Sequence, residues 1–292
     1  MSDRVPEHLR GWTVYLNGKY LSGAEASVSV FDRGFLMSDA VYEMTAVLDG
    51  KLIEFPGHMA RLRRSLRALE IPFELDESAV LKMHRELLRR NAVTDGMLYV
   101  QISRGVAERD FAFPEGIEPT VFAFVKDLDL LKMPAIETGF RVISYPEGRW
   151  ARRDVKSTQM LWTSIGKTAA LRAGVDDVFF VEDGYVTEAS ACNAFIIKDG
   201  VMRSRALSQS ILHGITRAVI VRFARIAGLA LDETPFTIDE AKAADEVFVT
   251  ASPLFAIGVV EVDGQMIGDG RPGPKTMQLR QLHIEESLKT AL

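Results

Sequence analysis

Cys192 is the only cysteine in 292 residues, which excludes an internal disulfide framework and fits a reducing compartment. No stretch reaches the roughly eighteen consecutive apolar residues of a membrane-spanning helix. The opening segment MSDRVPEHLRGW lacks the apolar core of an export signal, so a cytoplasmic protein is expected. Positive charge is not in excess: 35 Lys and Arg stand against 40 Asp and Glu, a net charge of −5, which argues against a nucleic-acid partner. The basic cluster RLRRSLR (61–67) is the local exception, and most of its arginines read as the solvated face of an amphipathic helix. No internal repeat, low-complexity segment or metal-ligand spacing stands out, and no metal is expected.

What remains is an ordinary globular composition, 47% hydrophobic and 26% charged, long enough for two domains whose cores need no staple. The first half opens with alternating stretches at 12–21 and 26–32. Asn17-Gly18 and Asp49-Gly50 lie between strand-like runs as hairpin turns. Met59, Leu62, Leu66 and Leu69 fall at helical spacing, and Val80, Leu81, Leu87 and Leu88 repeat it after a start near Asp76. MLYVQIS (97–103) and TVFAFVK (120–126) read as strands. In the second half, strand FRVIS (140–144) precedes a helix over 158–173 stopped by Gly174. Strands at 177–183 and 193–199 follow, then a helix presenting Ile215, Val219, Phe223 and Ile226. Thr237 and Glu240 form a capping box, strand 246–252 and the Asp263-Gly264 turn come next, and a last helix follows Pro274. The expected architecture is a two-domain α+β and α/β protein. It has a smaller N-terminal domain (1–130), a linker (131–139) that loses periodicity, and a larger C-terminal domain (140–292).

Lys156 in RRDVKSTQ (152–159) and Glu188 in VTEASACNAF (186–195) are the chemically suggestive pair. A lysine that forms an imine with pyridoxal phosphate needs a carboxylate at the pyridine nitrogen, which keeps the ring protonated and able to absorb electrons. A phosphate ester needs positive charge and backbone N–H donors, which a helix N-terminus supplies. HGITRAV (213–219) offers one, with Gly214 admitting a ligand and Ile215 and Thr216 giving N–H groups. Ser252 in TAS (250–252) is a second hydroxyl, and Arg61 could point inward while its neighbours face water.

These segments, with FDRGFLMSDAVYE (31–43), GHMARL (57–62), RGVAERDFAFP (104–114), ILHGITR (211–217), PFTIDEA (235–241), DEVFVTAS (245–252) and GDGRPGP (268–274), run nearly end to end. In order and spacing the chain resembles the fold-type IV pyridoxal-phosphate enzymes, and most closely their D-amino acid aminotransferase branch. The resemblance implies that Lys156 holds the cofactor and shuttles the proton between Cα and C4′, while Glu188 pairs with the pyridinium. It implies a phosphate cup of Arg61, Ile215, Thr216, Ala251 and Ser252, with Ala251 acting through its backbone, and Leu212 packed on the ring. It also implies a homodimer whose cofactor occupies the interdomain cleft, closed by the partner subunit. Amino acid or amine and 2-oxo acid would be its small-molecule partners, in a ping-pong transamination.

On the substrate side, Arg109 stands where the D-amino acid enzymes carry their carboxylate-binding arginine, a fork suited to bidentate contact. Tyr42 matches their substrate-side tyrosine. Two positions depart from the branch: Phe111 where a histidine is usual, and Ala46 where a basic residue is usual. Both remove polarity, leaving room for a bulkier apolar side chain or for an amine without carboxylate. An (R)-selective amine transaminase is therefore the alternative, ahead of a branched-chain L-aminotransferase or an aminodeoxychorismate lyase. A third departure is ASAC (189–192), in which Cys192 reads as a buried space-filling thiol.

Overall fold

The computed structural model describes residues 5–292, so the first four residues of the opening segment lie outside it. Two units emerge. One takes the chain up to Asp129 together with Val155–Thr158 and Ala291–Leu292; the other takes Leu130–Asp154 and Gln159–Thr290.

The first unit contains α1 (Glu7–Arg10), β1 (Thr13–Leu16), β2 (Lys19–Ser22), α2 (Arg33–Met37), β3 (Ala40–Leu48), β4 (Lys51–Leu52), α3 (Phe55–Ala68), α4 (Glu77–Asn91), β5 (Gly96–Ser103) and β6 (Thr120–Asp127). Among the described residues its sheet is six-stranded in the order β2-β1-β6-β5-β3-β4, with every pairing antiparallel. Helical spacing buries Phe55, Met59, Leu62 and Leu66 on α3, which packs against β3. Asp76 starts α4 by accepting from the N–H groups of Ser78 and Ala79. The alternating stretch 26–32 forms no strand. Its one pairing is the isolated bridge Asp32–Val106, and Val28, Val30 and Phe31 face outward, because alternation without a neighbouring strand to pair with makes no ladder.

The second unit contains α5 (Ala135–Thr138), β7 (Phe140–Pro146), α6 (Leu161–Arg172), β8 (Asp177–Glu182), β9 (Tyr185–Ala189), β10 (Asn193–Lys198), β11 (Val201–Arg203), α7 (Ile215–Ala224), β12 (Ala230–Asp232), α8 (Ile238–Lys242), β13 (Glu246–Ala251), β14 (Phe255–Val262), β15 (Gln265–Met266) and α9 (Pro274–Thr290). Its mixed sheet runs β12-β11-β10-β13-β14-β7-β8-β9, with β15 on β14. The unbroken apolar runs of β10 and β13 follow from burial on both faces. Phe195 and Phe248, cross-strand partners stacked at 4.8 Å, meet α7 and α9. Ala194, Ile196, Val247 and Val249 point the other way and pack with Ile136 of α5 and Ile238 of α8. Among the described residues no helix is long and apolar enough to cross a membrane.

Other parts of the chain also depart from the sequence expectations. Within 131–139, expected as the linker, α5 packs Ala135 and Ile136 on the second unit's core, and Leu130 before it is fully buried. Ile226 is 64% exposed because α7 ends at Ala224, short of the extrapolated face. Lys156, expected in the C-terminal domain, groups with the first unit, because residues 156–158 pair with β3.

Candidate active site

In the first unit β4 pairs with β3 only at Val47 and Leu48, which leaves the start of β3 with an open edge. Residues 156–158 cover that edge. The Tyr42 N–H donates to Lys156 O and the Thr158 N–H to Ala40 O, both at 3.0 Å, and Val41 bridges Ser157. Ser65 Oγ of α3 accepts from the Lys156 N–H at 3.3 Å. The backbone of Lys156 is thus held from two sides. Its half-buried side chain brings Nζ to within 3.1 Å of the Tyr42 hydroxyl and 4.2 Å of that ring's centre. Tyr42 stacks on Tyr99, and Tyr99 on Phe124, so the hydroxyl has a rigid aromatic backing.

Successive strand residues face opposite ways, so Glu43 turns toward α3. Arg61 grips it bidentately, Nε on Oε1 and Nη2 on Oε2, both at 2.7 Å, and His58 Nδ1 lies 2.7 Å from Oε2. Burial alone would raise the Glu43 carboxyl, but the guanidinium and His58 hold it well below the usual carboxylate range. Burial lowers His58 against the pull of Glu43. Arg61 points inward as expected, whereas Arg64 and Arg67 remain exposed. The Glu43–His58 pair went unread in the sequence, though both flank residues that were singled out.

Arg109 and Phe111 occupy the connection between β5 and β6. The root of that loop is fixed by Asp39 Oδ2, which accepts from Arg33 Nε and Arg104 Nε at 2.7 Å, and by Arg33 Nη1 donating to Asp110 O at 2.7 Å. Arg109 itself is exposed, its guanidinium 5.4 Å from the ring centre of Phe111, which is 77% exposed. Among the described residues neither is brought against Tyr42 or Lys156. Ala46 shares the Tyr42 face of β3 but is completely covered, so it opens no space for a substrate.

In the second unit the β8–β9 hairpin, turning at Asp183-Gly184, sets Glu188 near the end of β9, where it is 3% exposed. Three donors hold it: Arg149 Nη1 on Oε2 at 2.7 Å, Asn193 Nδ2 on Oε1 at 2.8 Å, and the Leu212 N–H on Oε1 at 2.9 Å. Burial raises the Glu188 carboxyl, opposed by Arg149 and the Leu212 N–H. Asn193 also donates to Leu212 O at 2.9 Å, so one amide ties the carboxylate to the turn before α7. A Cβ on Gly214 would fall 2.0 Å from Asn193 Oδ1, so the close approach of the Asn193 side chain favours glycine there. Neither Arg149 nor Asn193 was picked out from sequence. Arg149 is one of three arginines in GRWARR, and nothing in the string says which is buried. Cys192 packs with Val186, Ala189 and Ala194 in the core, a space-filling position.

The same unit fits a cofactor with a basic ring nitrogen and a phosphate ester. Gly214 provides no side-chain cap for α7, and the first N–H groups of a helix, here those of Ile215 and Thr216, have no acceptor within it. Thr250, the cross-strand partner of Asn193, carries a buried hydroxyl without a hydrogen-bond partner among the described residues. Ala251 closes β13 and Ser252 follows it, both half-buried.

The family model described as amino-transferase class IV matches residues 40–262. A D-alanine aminotransferase of Staphylococcus aureus (strain N315) is 35% identical over 269 residues, 92% of this chain and 95% of its own length. Another, from Bacillus licheniformis, is 33% identical over 281 residues, 95% of this chain and 99% of its own. The solved branched-chain amino acid aminotransferase of Escherichia coli matches with a TM-score of 0.89 at 24% identity over 95% of each chain, a likeness of fold. A family match across both units, joined to relatives aligned over nearly their whole length, makes this chain a member of the class IV aminotransferases, pyridoxal-phosphate enzymes of fold type IV.

Proposed function

We propose that this enzyme moves the amino group of a D-amino acid to a 2-oxo acid in two successive half-reactions, with pyruvate or 2-oxoglutarate as acceptor. The likeness to D-alanine aminotransferases over 92% of the chain carries the reading, and the Lys156–Tyr42 contact gives it a chemical centre. Bound pyridoxal phosphate supplies an electron sink for the carbanion left when Cα loses its proton. Lys156 would hold the cofactor and, once displaced by the substrate's amino group, would supply the free amine that takes up and returns that proton. The Tyr42 hydroxyl holds Nζ in line while it does so. Glu188 receives the ring N–H. Arg61, Ser252, Thr216 and the N–H groups of Ile215, Thr216 and Ala251 take the phosphate, and Leu212 packs on the ring.

Arg109 binds the substrate carboxylate, with Phe111 shaping the side-chain pocket. Its presence favours an amino acid over a plain amine. Full burial of Ala46 removes one of the two departures that had favoured the (R)-amine alternative. We further infer a homodimer in the cytoplasm. The outward-facing Val30, Phe31, Phe35, Phe111 and Phe113 support the dimer, and the lone cysteine supports the compartment.

The test is to follow the visible absorption of the cofactor-loaded protein during addition of D-alanine, L-leucine or (R)-1-phenylethylamine. Loss of the band with D-alanine alone is expected, and Lys156→Ala lowers the rate by about 10²–10⁴-fold. Conversion by the L-amino acid or the amine alone overturns the assignment.

A further inference from the structure

Behind Glu188 lies a buried chain of alternating charges that the proposed reaction does not yet use. Arg149 joins Glu188 to Glu147: Nη1 meets Glu188 Oε2 at 2.7 Å, Nη2 meets Glu147 Oε2 at 2.6 Å, and Nε meets both Glu147 oxygens at 3.0 and 3.2 Å. Arg153 Nη1 stands 2.9 Å from Glu147 Oε2, and its Nη2 donates to Glu182 at 2.8 Å. The Thr187 hydroxyl adds a donor to Glu147 at 2.7 Å. The Arg149 and Glu188 side chains are 11% and 4% exposed, and those of Arg153 and Glu147 6% and 2%.

The geometry of this cluster points at one ligand. Its buried members balance, Glu188 and Glu147 against Arg149 and Arg153, while Glu182 at the outer end is 33% exposed, so Arg149 is shared between two carboxylates and Glu188 keeps part of its charge uncompensated. Glu188 accepts from Asn193 and Leu212 on Oε1 but from Arg149 alone on Oε2, while each carboxylate oxygen can accept two hydrogen bonds. Glu188 therefore offers one open acceptor position, at Oε2, on a buried carboxylate. A protonated pyridine nitrogen supplies a charged donor for it.

Building on the reading that Glu188 serves the ring nitrogen, we infer that Arg149 is a positioning residue that keeps Glu188 ionised and aims its Oε2 at the ring N–H. The charged groups facing Glu188 in this unit are Arg149 and Glu147, with Arg153 and Glu182 behind them. Of the two nearest, Arg149 alone favours the anion, and burial together with Glu147 opposes it. Without Arg149 the carboxyl takes up a proton in the cofactor-free protein. A lysine at 149 would keep the charge, but as a point donor it cannot hold Glu188 and Glu147 at once.

The experiment counts protons rather than turnovers. The full-length, cofactor-free protein is titrated with pyridoxal phosphate in a calorimeter, near neutral pH, in two buffers of different ionisation enthalpy. The wild type is expected to take up about one proton more than Arg149→Met, whose Glu188 already carries one. Arg149→Lys keeps the wild-type count but binds the cofactor about tenfold or more weakly, as for other outer-shell partners. An unchanged proton count in Arg149→Met overturns the inference. Should that variant not fold, unchanged affinity in Arg149→Lys overturns it instead. Glu188→Gln separates this inference from the reading beneath it. If Glu188→Gln matches the wild-type count, Glu188 does not serve the ring. If it loses the proton while Arg149→Met keeps it, only the role of Arg149 fails.

Discussion

At Glu43 a fully buried carboxylate meets both arms of Arg61 and the ring of His58. Replacing it by glutamine preserves the shape and removes the charge that those two groups face. Breaking a buried pair from one side costs about 3–5 kcal/mol, so Glu43→Gln is expected to lower the unfolding free energy from urea denaturation by that much and to weaken cofactor binding through Arg61. An unfolding free energy within about 0.5 kcal/mol of wild type would show that the pair contributes little. The residues singled out in sequence were those whose chemistry is suggestive in any setting: a lysine and an acid in motifs, and a helix-opening Gly-Ile-Thr. Arg149, Asn193 and Glu43 act by gripping other side chains, and a grip between distant positions leaves no local pattern. Arg149 and Glu188 are brought together by β7 and the β8–β9 hairpin, a long-range arrangement that the string does not display.

Elements with both a periodic face and a stop signal were the most legible. The Asp76 cap, the Asn17-Gly18 and Asp263-Gly264 turns and the Thr237–Glu240 capping box all form where their chemistry places them. The box is reciprocal, Thr237 Oγ1 accepting from the Glu240 N–H at 3.1 Å and Glu240 from the Thr237 N–H at 2.9 Å. Thr237→Ala is expected to cost about 1 kcal/mol, measured by chemical denaturation, with the rate of amino transfer unchanged. Elements failed where partnership decided the outcome. Residues 26–32 alternate without a neighbour to pair with, and Thr158, expected to open a helix, is drawn instead onto the start of β3. The helix accordingly begins only at Leu161.

Across the whole molecule, buried histidines give stability a predictable pH dependence. His84 and His283 are each pushed down to about 3, by burial first. A histidine held neutral in the fold binds fewer protons than in the unfolded chain below its ordinary value near 6.5. Stability therefore falls as pH drops from about 6.5 toward 3, by up to about 1.4 kcal/mol per pH unit for each ring. Glu188, whose carboxyl is raised by burial, works in the opposite sense as pH falls through its own titration. Urea midpoints measured between pH 7.5 and 5 should decline, and His84→Leu should flatten the decline; an unaltered slope would remove His84 from the account.

The division of the chain also bears on how such enzymes can be recombined. Residues 155–158 group with the first unit, yet they are encoded within the stretch that builds the second. A single crossover near residue 130 would carry Lys156 along with Arg149 and Glu188 while leaving Tyr42, Ser65 and the β3 edge to the other parent. Chimeras between relatives will inherit Lys156 from one ancestor and its docking strand from another, so the compatibility of those few backbone and hydroxyl contacts sets which parents can be joined.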